Sequence, residues 1–400
     1  MRAPKGRVMR PLEGIRILDL SRMVAGGIAG MLLADFGAEV VKIEQPGSGD
    51  PLRQWTSEGR PLWWKVYARN KRFVTLNLKA PEGRDLLLRM LPDYDVMMES
   101  FVPGTLERLG LDWETLRARH PRLILLRISG WGQTGPDSGR PGFGTLVEAA
   151  SGLAEMNGEP DGAPIVPGFP LADSVSGLYA SNAIMYALSH RDRHGAAGQV
   201  IDLSLFESLF SLLGPLSAEY AAHGGLRRRD GSRSRNAGPR GCYPTSDGQW
   251  IAVSGSTPKM AERFLRSYGL ETLLEDPRFA SNGARVAHSR ELDDEVARAI
   301  ASRTLAENVA IIEANQLTAV PVQSVADIEA HPHWQARGLT VEVPNGAGGV
   351  RMHNVVPRLS ESPGEIRWPG GELGQDNHAL YGALGLSCDE QQRLRASGVI

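Results

Sequence analysis

The chain has 400 residues, 42% of them hydrophobic and 22% charged, with a formal net charge of -2 at pH 7. At roughly 150 residues per domain this length predicts two domains, or three, with ample chain for a large core. The composition argues against a disordered or fibrous class, the near-neutral charge against a general nucleic-acid binder, and the lack of an apolar run of about 18 residues against a membrane span.

The two cysteines, Cys242 and Cys388, stand far apart and in no Cys-x-x-Cys spacing. They fit a reducing compartment and supply no metal site. The basic start, Met1 to Arg10, leads into Pro11-Leu-Glu-Gly14 rather than an apolar stretch. It is not a secretory signal, so cytoplasmic residence is the expectation.

In chain order, Ile15 to Leu20 reads as a strand, Ser21 to Gly27 as a loop, Ile28 to Phe36 as a helix and Ala38 to Glu44 as a second strand. Such a unit predicts a parallel pair with a right-handed crossover and a ligand crevice at the carboxyl ends of the strands. After the turn at Pro46 to Asp50, the alternation repeats: strand Phe73 to Leu78, helix Pro81 to Met90, strand Asp95 to Ser100. Pro103 to Leu109 and Asp112 to His120 read as helices, and Leu123 to Ser129 as a strand apolar enough to be buried on both faces of a parallel sheet. The fold class is therefore α/β, with a doubly wound domain.

A helix is expected from Thr145 to Glu155, and another over the uncharged run Ser174 to Leu188. The second would be apolar nearly all round and hence buried, with Gly177, Ala180, Ser181 and Ala183 small enough to let a neighbour approach. An amphipathic helix is predicted from Leu203 to Ala222, and the change of composition at Gly224 to Arg235 reads as a linker. A hairpin from Cys242 to Val253 and helices near 258–274, 289–302 and 305–315 predict a smaller α+β domain. Paired strands near 339–344 and 350–356 precede helices between Asn377 and Ser397. The expected division is 1–223 for the large domain, 224–241 for a linker, 242–330 for the small domain, and 331–400 for a return linker with the end of the large domain.

The residues able to carry chemistry are few. Gly26-Gly27-Ile-Ala-Gly30 after a strand, with Glu44 placed to meet a ribose, lacks the first glycine of the dinucleotide fingerprint. Close helix-to-strand packing is the better reading, although glycine amides at a helix start also make an anion neighbourhood. Arg227, Arg228, Arg229, Arg233 and Arg235 read as a solvated linker, with phosphate contact as the alternative. His331 and His333 lack further ligands at zinc-like spacing, and no Gly-x-Ser-x-Gly elbow occurs. Asp173 stands where a Pro- and Gly-bearing segment gives way to the apolar run. It is either an N-cap accepting from the amide of Val175 or Ser176, or an ionised carboxylate near positive helix-end potential and available as a nucleophile. The two roles are compatible.

Nine short blocks occur in order: Pro11 to Leu20, Leu33 to Glu44, Pro46 to Asp50, Asn70 to Arg72, Leu76 to Lys79, Asp95 to Gly104, Gly132 to Pro136, Leu171-Ala-Asp173 and Gly198 to Asp202. Together they resemble the class III CoA-transferase family, which includes formyl-CoA transferase, carnitine CoA-transferase and α-methylacyl-CoA racemase. The resemblance runs over nearly the whole chain and is weaker in the smaller domain. It implies a Rossmann-like large domain joined by two linkers to a small one, each subunit an open ring and two rings interlocked as a homodimer.

It implies too that Asp173 attacks the thioester of an acyl-CoA donor such as succinyl-CoA, that the resulting anhydride becomes an aspartyl-CoA thioester, and that a small carboxylic acid reverses the sequence. Coenzyme A is then a co-substrate, with no metal. By the same likeness Ala25, Leu76, Lys79, Ser100, Phe101 and Arg108 match positions that hold CoA, Lys79 and Arg108 toward its phosphates and Phe101 by packing.

Several positions depart from the family pattern. Ser100 stands where formyl-CoA transferase has Asn, and Gln45 where it has Arg. Val24 replaces a Gln and Gly144 a Glu, and no Gly-rich loop is seen near 255, so formate and oxalate are disfavoured and a roomier, less polar pocket is expected. In Arg140-Pro-Gly-Phe143 the phenyl ring occupies the place of the racemase His. Without that imidazole a two-base proton exchange lacks one partner, which leaves racemisation as the second expectation and a silent acyl-CoA binder as the third.

Overall fold

The protein was analysed as a computed structural model that describes residues 9–346 and 348–400. It divides into two compact units, one comprising the chain up to Leu153 with Val166–Pro215 and Gly338–Ile400, the other Ala154–Ile165 with Leu216–Arg337. The first unit is built on β1 (Arg16–Asp19), α1 (Met23–Asp35), β2 (Glu39–Glu44), α2 (Leu62–Tyr67), β3 (Arg72–Thr75), α3 (Pro81–Met90), β4 (Val96–Glu99), α4 (Thr105–Arg108), α5 (Trp113–Arg119) and β5 (Ile124–Ser129). It continues through α6 (Gly144–Ala150), after which α7 (Leu153–Met156) leads into the second unit, and resumes with α8 (Leu171–His194), β6 (Val200–Ser204) and α9 (Leu205–Phe210).

The six strands form one parallel sheet in the order β3-β2-β1-β4-β5-β6. Alternate residues feed opposite faces, as the two-residue period of a strand requires. Ile17, Val40, Val96 and Leu126 pack with Ala29, Ala180 and Ile184. Leu18, Val41, Met97 and Leu125 pack on the other side with Leu87, Leu116 and Tyr381. Strand order reverses between β1 and β4, which are paired Ile17 to Val96 and Leu18 to Met97. A crevice opens at such a switch point, beyond the carboxyl ends of the strands.

Three expectations need correction. First, α1 begins at Met23, so Gly26, Gly27 and Gly30 lie inside the helix and not in a phosphate loop. Its start is set from outside: Asp50 Oδ1 accepts the Met23 amide at 3.1 Å, and Met23 takes a φ of 65°. Glu44 is likewise not free for a ribose, being held by Arg53 at 2.7 and 2.8 Å and by the Asp50 amide at 2.9 Å.

Second, in place of one helix from Leu203 to Ala222, Leu203 and Ser204 end a strand, β6, and the remainder forms two shorter helices, α9 and α10 (Leu216–His223). Val200-Ile-Asp-Leu-Ser204 alternates with period two and pairs with β5 from Val200 opposite Leu125 to Ser204 opposite Ser129. Ser204 then caps α9, its hydroxyl accepting from Glu207.

Third, α8 runs for 24 residues to His194, where Gly195 at φ 61° ends it after Arg191, Arg193 and His194. One face is buried, but Leu178, Tyr179, Met185 and Tyr186 lie on the other, Tyr186 being 72% exposed. On the buried face the close approach expected at Gly177 is real. A Cβ there would fall 2.8 Å from Ile28 Cβ and 2.9 Å from the Ala25 carbonyl oxygen.

The second unit holds α10, β7 (Arg240–Pro244), β8 (Trp250–Ser254), α11 (Pro258–Ser267), α12 (Asn282–Ala287), α13 (Ser289–Ala301), α14 (Leu305–Ala314), β9 (Ala319–Pro321), α15 (Val325–Ala330) and α16 (Pro332–Ala336). The three strands are antiparallel in the order β7-β8-β9. Their inner side chains Tyr243, Ile251 and Val253 pack on Phe264, Leu292 and Val296. The arginine run is not simply solvated: Arg227 pairs with Glu219 at 2.6 Å, Arg229 with Glu155 at 3.0 Å and Arg233 with Asp293 at 2.7 Å. His331 Nδ1 accepts the His333 amide and starts α16.

The chain returns to the first unit with the hairpin β10 (Thr340–Asn345) and β11 (Gly348–His353), then α17 (Asn377–Ala383) and α18 (Cys388–Ala396). This segment covers the outer edge of β3. Asp376 Oδ2 accepts the Phe73 amide at 2.7 Å, Asn377 Oδ1 the Thr75 amide at 2.9 Å, and the Tyr381 hydroxyl donates to the Thr75 carbonyl at 2.7 Å. An edge strand left open would invite pairing with another chain.

Beneath the switch point lie four buried charges. Lys71 Nζ is 2.8 Å from Asp19 Oδ2 and donates to the Gly27 carbonyl at 3.1 Å, and Lys42 Nζ is 2.9 Å from Asp50 Oδ2. Lys42 also donates to the Ser21 carbonyl, and the Ser21 hydroxyl to Asp19. Burial works against an ionised Asp19, but Lys42 and Lys71 outweigh it and hold its carboxyl below the ordinary range. Removing one partner of such a set leaves an uncompensated buried charge, at a cost of about 3–5 kcal/mol. Lys71→Met is therefore expected to lower the unfolding free energy by that order, read from urea denaturation by far-ultraviolet circular dichroism; an unchanged midpoint would refute the role of the cluster.

Candidate active site

Two cavities open at the switch point. One, of about 420 Å³, is lined by Leu20, Lys42, Gln45, Leu76, Lys79 and Phe101 among others. The other, of about 540 Å³, is lined by Arg22, Ala25, Ser100, Phe101, Phe143 and Asp173 among others. Arg22, Phe101 and Thr105 belong to both walls, so the two spaces adjoin. Of the residues singled out in the sequence, Asp173, Ala25, Ser100 and Phe101 meet around the larger cavity, and Leu76, Lys79 and Phe101 around the smaller. Arg108 stands on α4, its Nη2 donating to Thr105 Oγ1 at 2.8 Å, and is not itself on either wall. The Ser100 hydroxyl accepts the Arg22 amide at 2.8 Å and so ties the segment after β4 to the segment after β1.

Asp173 is the third residue of α8 and not its N-cap. The cap position is Pro170, which offers no side-chain acceptor. The amides of a first helical turn still need partners. That of Ala172 is accepted by Glu148 Oε1 at 3.0 Å, from a neighbouring helix. Asp173 is thereby released from capping, and among the described residues none forms an ion pair with it. Burial, and after it the charge of Glu148, raises its carboxyl to about 6. A carboxylate that is ionised at neutral pH yet held against burial and a like charge is a stronger nucleophile and base than an ordinary surface aspartate.

Gly144 makes room for it. A Cβ at that position would lie 2.5 Å from Asp173 Oδ2 and 3.2 Å from its Cγ. The glycine that opens α6 is therefore a condition of the carboxylate's placement. Phe143, next to it, is 65% exposed and forms part of the apolar wall.

Sequence reasoning missed Glu148 and Arg22. Glu148 is 1% exposed and is the single charge in Gly144-Thr-Leu-Val-Glu-Ala-Ala150, four residues after Gly144 and hence on the same helix face. An acidic residue on the apolar side of a helix was the available signal. Arg22 follows a strand directly at the crevice, and its side chain is exposed on the walls of both cavities.

The family model described as CoA-transferase family III matches residues 12–377. Succinyl-CoA--D-citramalate CoA-transferase of Chloroflexus aurantiacus is 40% identical over 399 residues, which cover 98% of this chain and 99% of that protein. Succinate--glutarate CoA-transferase of Agrobacterium fabrum is 36% identical over 391 residues, covering 94% and 96%. Among solved structures, a CAIB/BAIF family protein from Brucella suis superposes with a TM-score of 0.83 at 31% identity, over 94% of this chain and 99% of that one.

The raised Asp173 carboxyl has a consequence for stability. Its ordinary value is 3.8 and its folded value about 6. The folded state therefore binds the proton more tightly than the unfolded chain, and stability is lost as pH rises between these values. Above pH 6 the full penalty is present, worth about 2 kcal/mol after allowance for partial exposure. Asp173→Asn is expected to raise the thermal midpoint at pH 8 clearly and at pH 4 hardly at all, checked by calorimetry; an equal effect at both would contradict the placement.

Proposed function

The chain belongs to CoA-transferase family III and is a class III CoA-transferase, and we propose that it moves CoA from an acyl-CoA such as succinyl-CoA to a small dicarboxylic acid through covalent intermediates on Asp173. The observation that carries this reading is the solitary Asp173 carboxylate on the wall of a cavity that adjoins a second one with a lysine on its wall.

In the first step the Asp173 carboxylate attacks the thioester carbonyl carbon. The acyl–sulfur bond breaks, and the products are an aspartyl–acyl anhydride and the CoA thiolate. The thiolate then attacks the aspartyl carbonyl, releasing the first acid as its carboxylate and leaving an aspartyl-CoA thioester. The acceptor carboxylate attacks that thioester to give a new anhydride, and the returning thiolate takes the new acyl group and frees Asp173. Each step exchanges one carboxylate or thiolate for another, so no proton need be moved and water has no part in it.

In this reading Leu76, Lys79, Phe101 and Arg108 hold the CoA moiety, Lys79 and Arg108 toward its phosphates. Ala25, from the first turn of α1, and Ser100 complete the passage between the cavities. Arg22 is the cation on the wall that carries Asp173, and it is placed to receive the far carboxylate of a dicarboxylic acyl group. The relatives named for D-citramalate and for glutarate both take acids with two carboxylates, which supports this class. Racemisation is not favoured, because Phe143 offers no second base opposite Asp173. The homodimer implied by the resemblance is part of the proposal; its support is the apolar outer face of α8, and the mass of the protein in solution reads it.

Incubation of the intact protein with succinyl-CoA should add mass at Asp173 that hydroxylamine removes, with no gain in Asp173→Asn. Because the nucleophile is the ionised form, exchange should fall as pH drops through about 6. Persistent exchange in Asp173→Asn would end the reading. For Arg22→Gln, the expectation is a KM for dicarboxylic acceptors roughly tenfold higher, with little change for a monocarboxylic acid of equal length, since losing a charged hydrogen bond costs about 1.5–3 kcal/mol. Equal loss for both kinds of acid would remove Arg22 from acceptor recognition.

A further inference from the structure

The geometry around Asp173 points to a residue that acts through it. We propose that Glu148 is the positioning residue of this site: its buried carboxylate fixes the first turn of α8 through the Ala172 amide and sets a negative charge beside the Asp173 carboxylate, favouring the covalent states in which that carboxylate is neutral. The inference rests on the Asp173 chemistry proposed above.

The placement is specific. Glu148 is 1% exposed, it reaches from α6 to accept the Ala172 amide at 3.0 Å, and the bond it makes is to the residue directly before Asp173. A carboxylate on another helix is an unusual device for a helix start, where a serine, threonine, asparagine or aspartate at the cap position does the same work locally. Here Pro170 occupies that position. The outcome is that the first turn of α8 is oriented by α6, the helix whose opening glycine clears space for the Asp173 carboxylate.

The charge has a second effect. The charge that acts on Asp173 is Glu148 from α6; the cavity wall that Asp173 shares includes Arg22 from the segment after β1, Ser100 and Phe101 from the segment after β4, Ser129 from the end of β5, and Leu205 from α9. Of these Glu148 alone is negative. Protonation and acylation of Asp173 both abolish its charge, so both relieve the same repulsion. For the aspartyl-CoA thioester, once the first acid has left with its charge, the share of the raised carboxyl that Glu148 supplies reappears as an equal factor in the equilibrium for adduct formation.

Glu148→Gln keeps an oxygen to accept the Ala172 amide and removes the charge. The acidic limb of the exchange rate should move to lower pH, and the equilibrium constant for the Asp173 adduct should fall by the matching factor, tenfold for each pH unit of displacement, with no fall in the urea midpoint, since the relieved repulsion can only raise it above pH 6. Glu148→Ala also loses the anchor, and kcat should fall roughly tenfold to a hundredfold while KM for the acyl-CoA holds, because the nucleophile is misplaced rather than the donor site. Superimposable pH profiles and equal adduct constants in wild type and Glu148→Gln would overturn the electrostatic part. A Glu148→Ala enzyme with normal kcat would overturn the anchoring part. Wild-type protein that never gains mass at Asp173 would overturn instead the reaction scheme on which the inference stands.

Discussion

Four charges buried together beneath a parallel sheet are costly unless each finds its partners, and the rest of the first unit is arranged around meeting that requirement. Asp19 at the end of β1, Lys42 on β2, Asp50 after the following turn and Lys71 before β3 come from four separate places in the chain and balance one another. Their hydrogen bonds end on the backbone of the segment after β1 and of α1: the Ser21 carbonyl, the Met23 amide and the Gly27 carbonyl. That segment carries Arg22 and Ala25 to the cavities. Asn70-Lys71-Arg72, a block met in the sequence only as a family likeness, acquires a physical meaning here. Asn70 joins Asp35 at 2.7 Å to the Glu365 carbonyl at 2.8 Å, Lys71 neutralises Asp19, and Arg72 lies 3.7 Å from Asp376.

Above this base the Asp173 carboxylate is held by opposite means. Asp173 has no counter-ion, lies partly buried beside another carboxylate, and is uncomfortable in its ionised form. In the proposed reaction that discomfort is relieved when the carboxylate becomes an uncharged acyl derivative. The contrast is between a fully compensated cluster at the sheet and an uncompensated carboxylate on α8, the group that carries the proposed reaction. Stability is surrendered in the second and recovered in the first.

Much of the α/β unit was legible because buried strands of a parallel sheet are short apolar runs and the helices between them carry clear stop signals. Pro81 begins α3, Asp112 caps α5, and the strand read at Leu123 to Ser129 is β5 within one residue. What could not be read depended on contacts distant in sequence. The start of α1 is fixed by Asp50, 27 residues away, and β6 is a strand because β5 has a free edge for it. The Ser174 to Leu188 run looked buried all round because hydropathy does not report which face has a neighbour. At the site, Asp173 was visible as a carboxylate at a helix start, but its release from capping required Glu148, whose partner bond spans 24 residues.

The clearance at Gly144 also bears on how such a site can change over generations. With 2.5 Å between a would-be β-carbon and the Asp173 carboxylate oxygen, any side chain gained at position 144 is felt at once at position 173. Any lineage that acquires a side chain at 144 must at the same stage swing the aspartate aside or shift the opening of α6. Since the atoms met are the far end of a rotatable side chain and not backbone, a replacement at 144 is answered by turning the aspartate, and single changes there trade against where that carboxylate points rather than against folding.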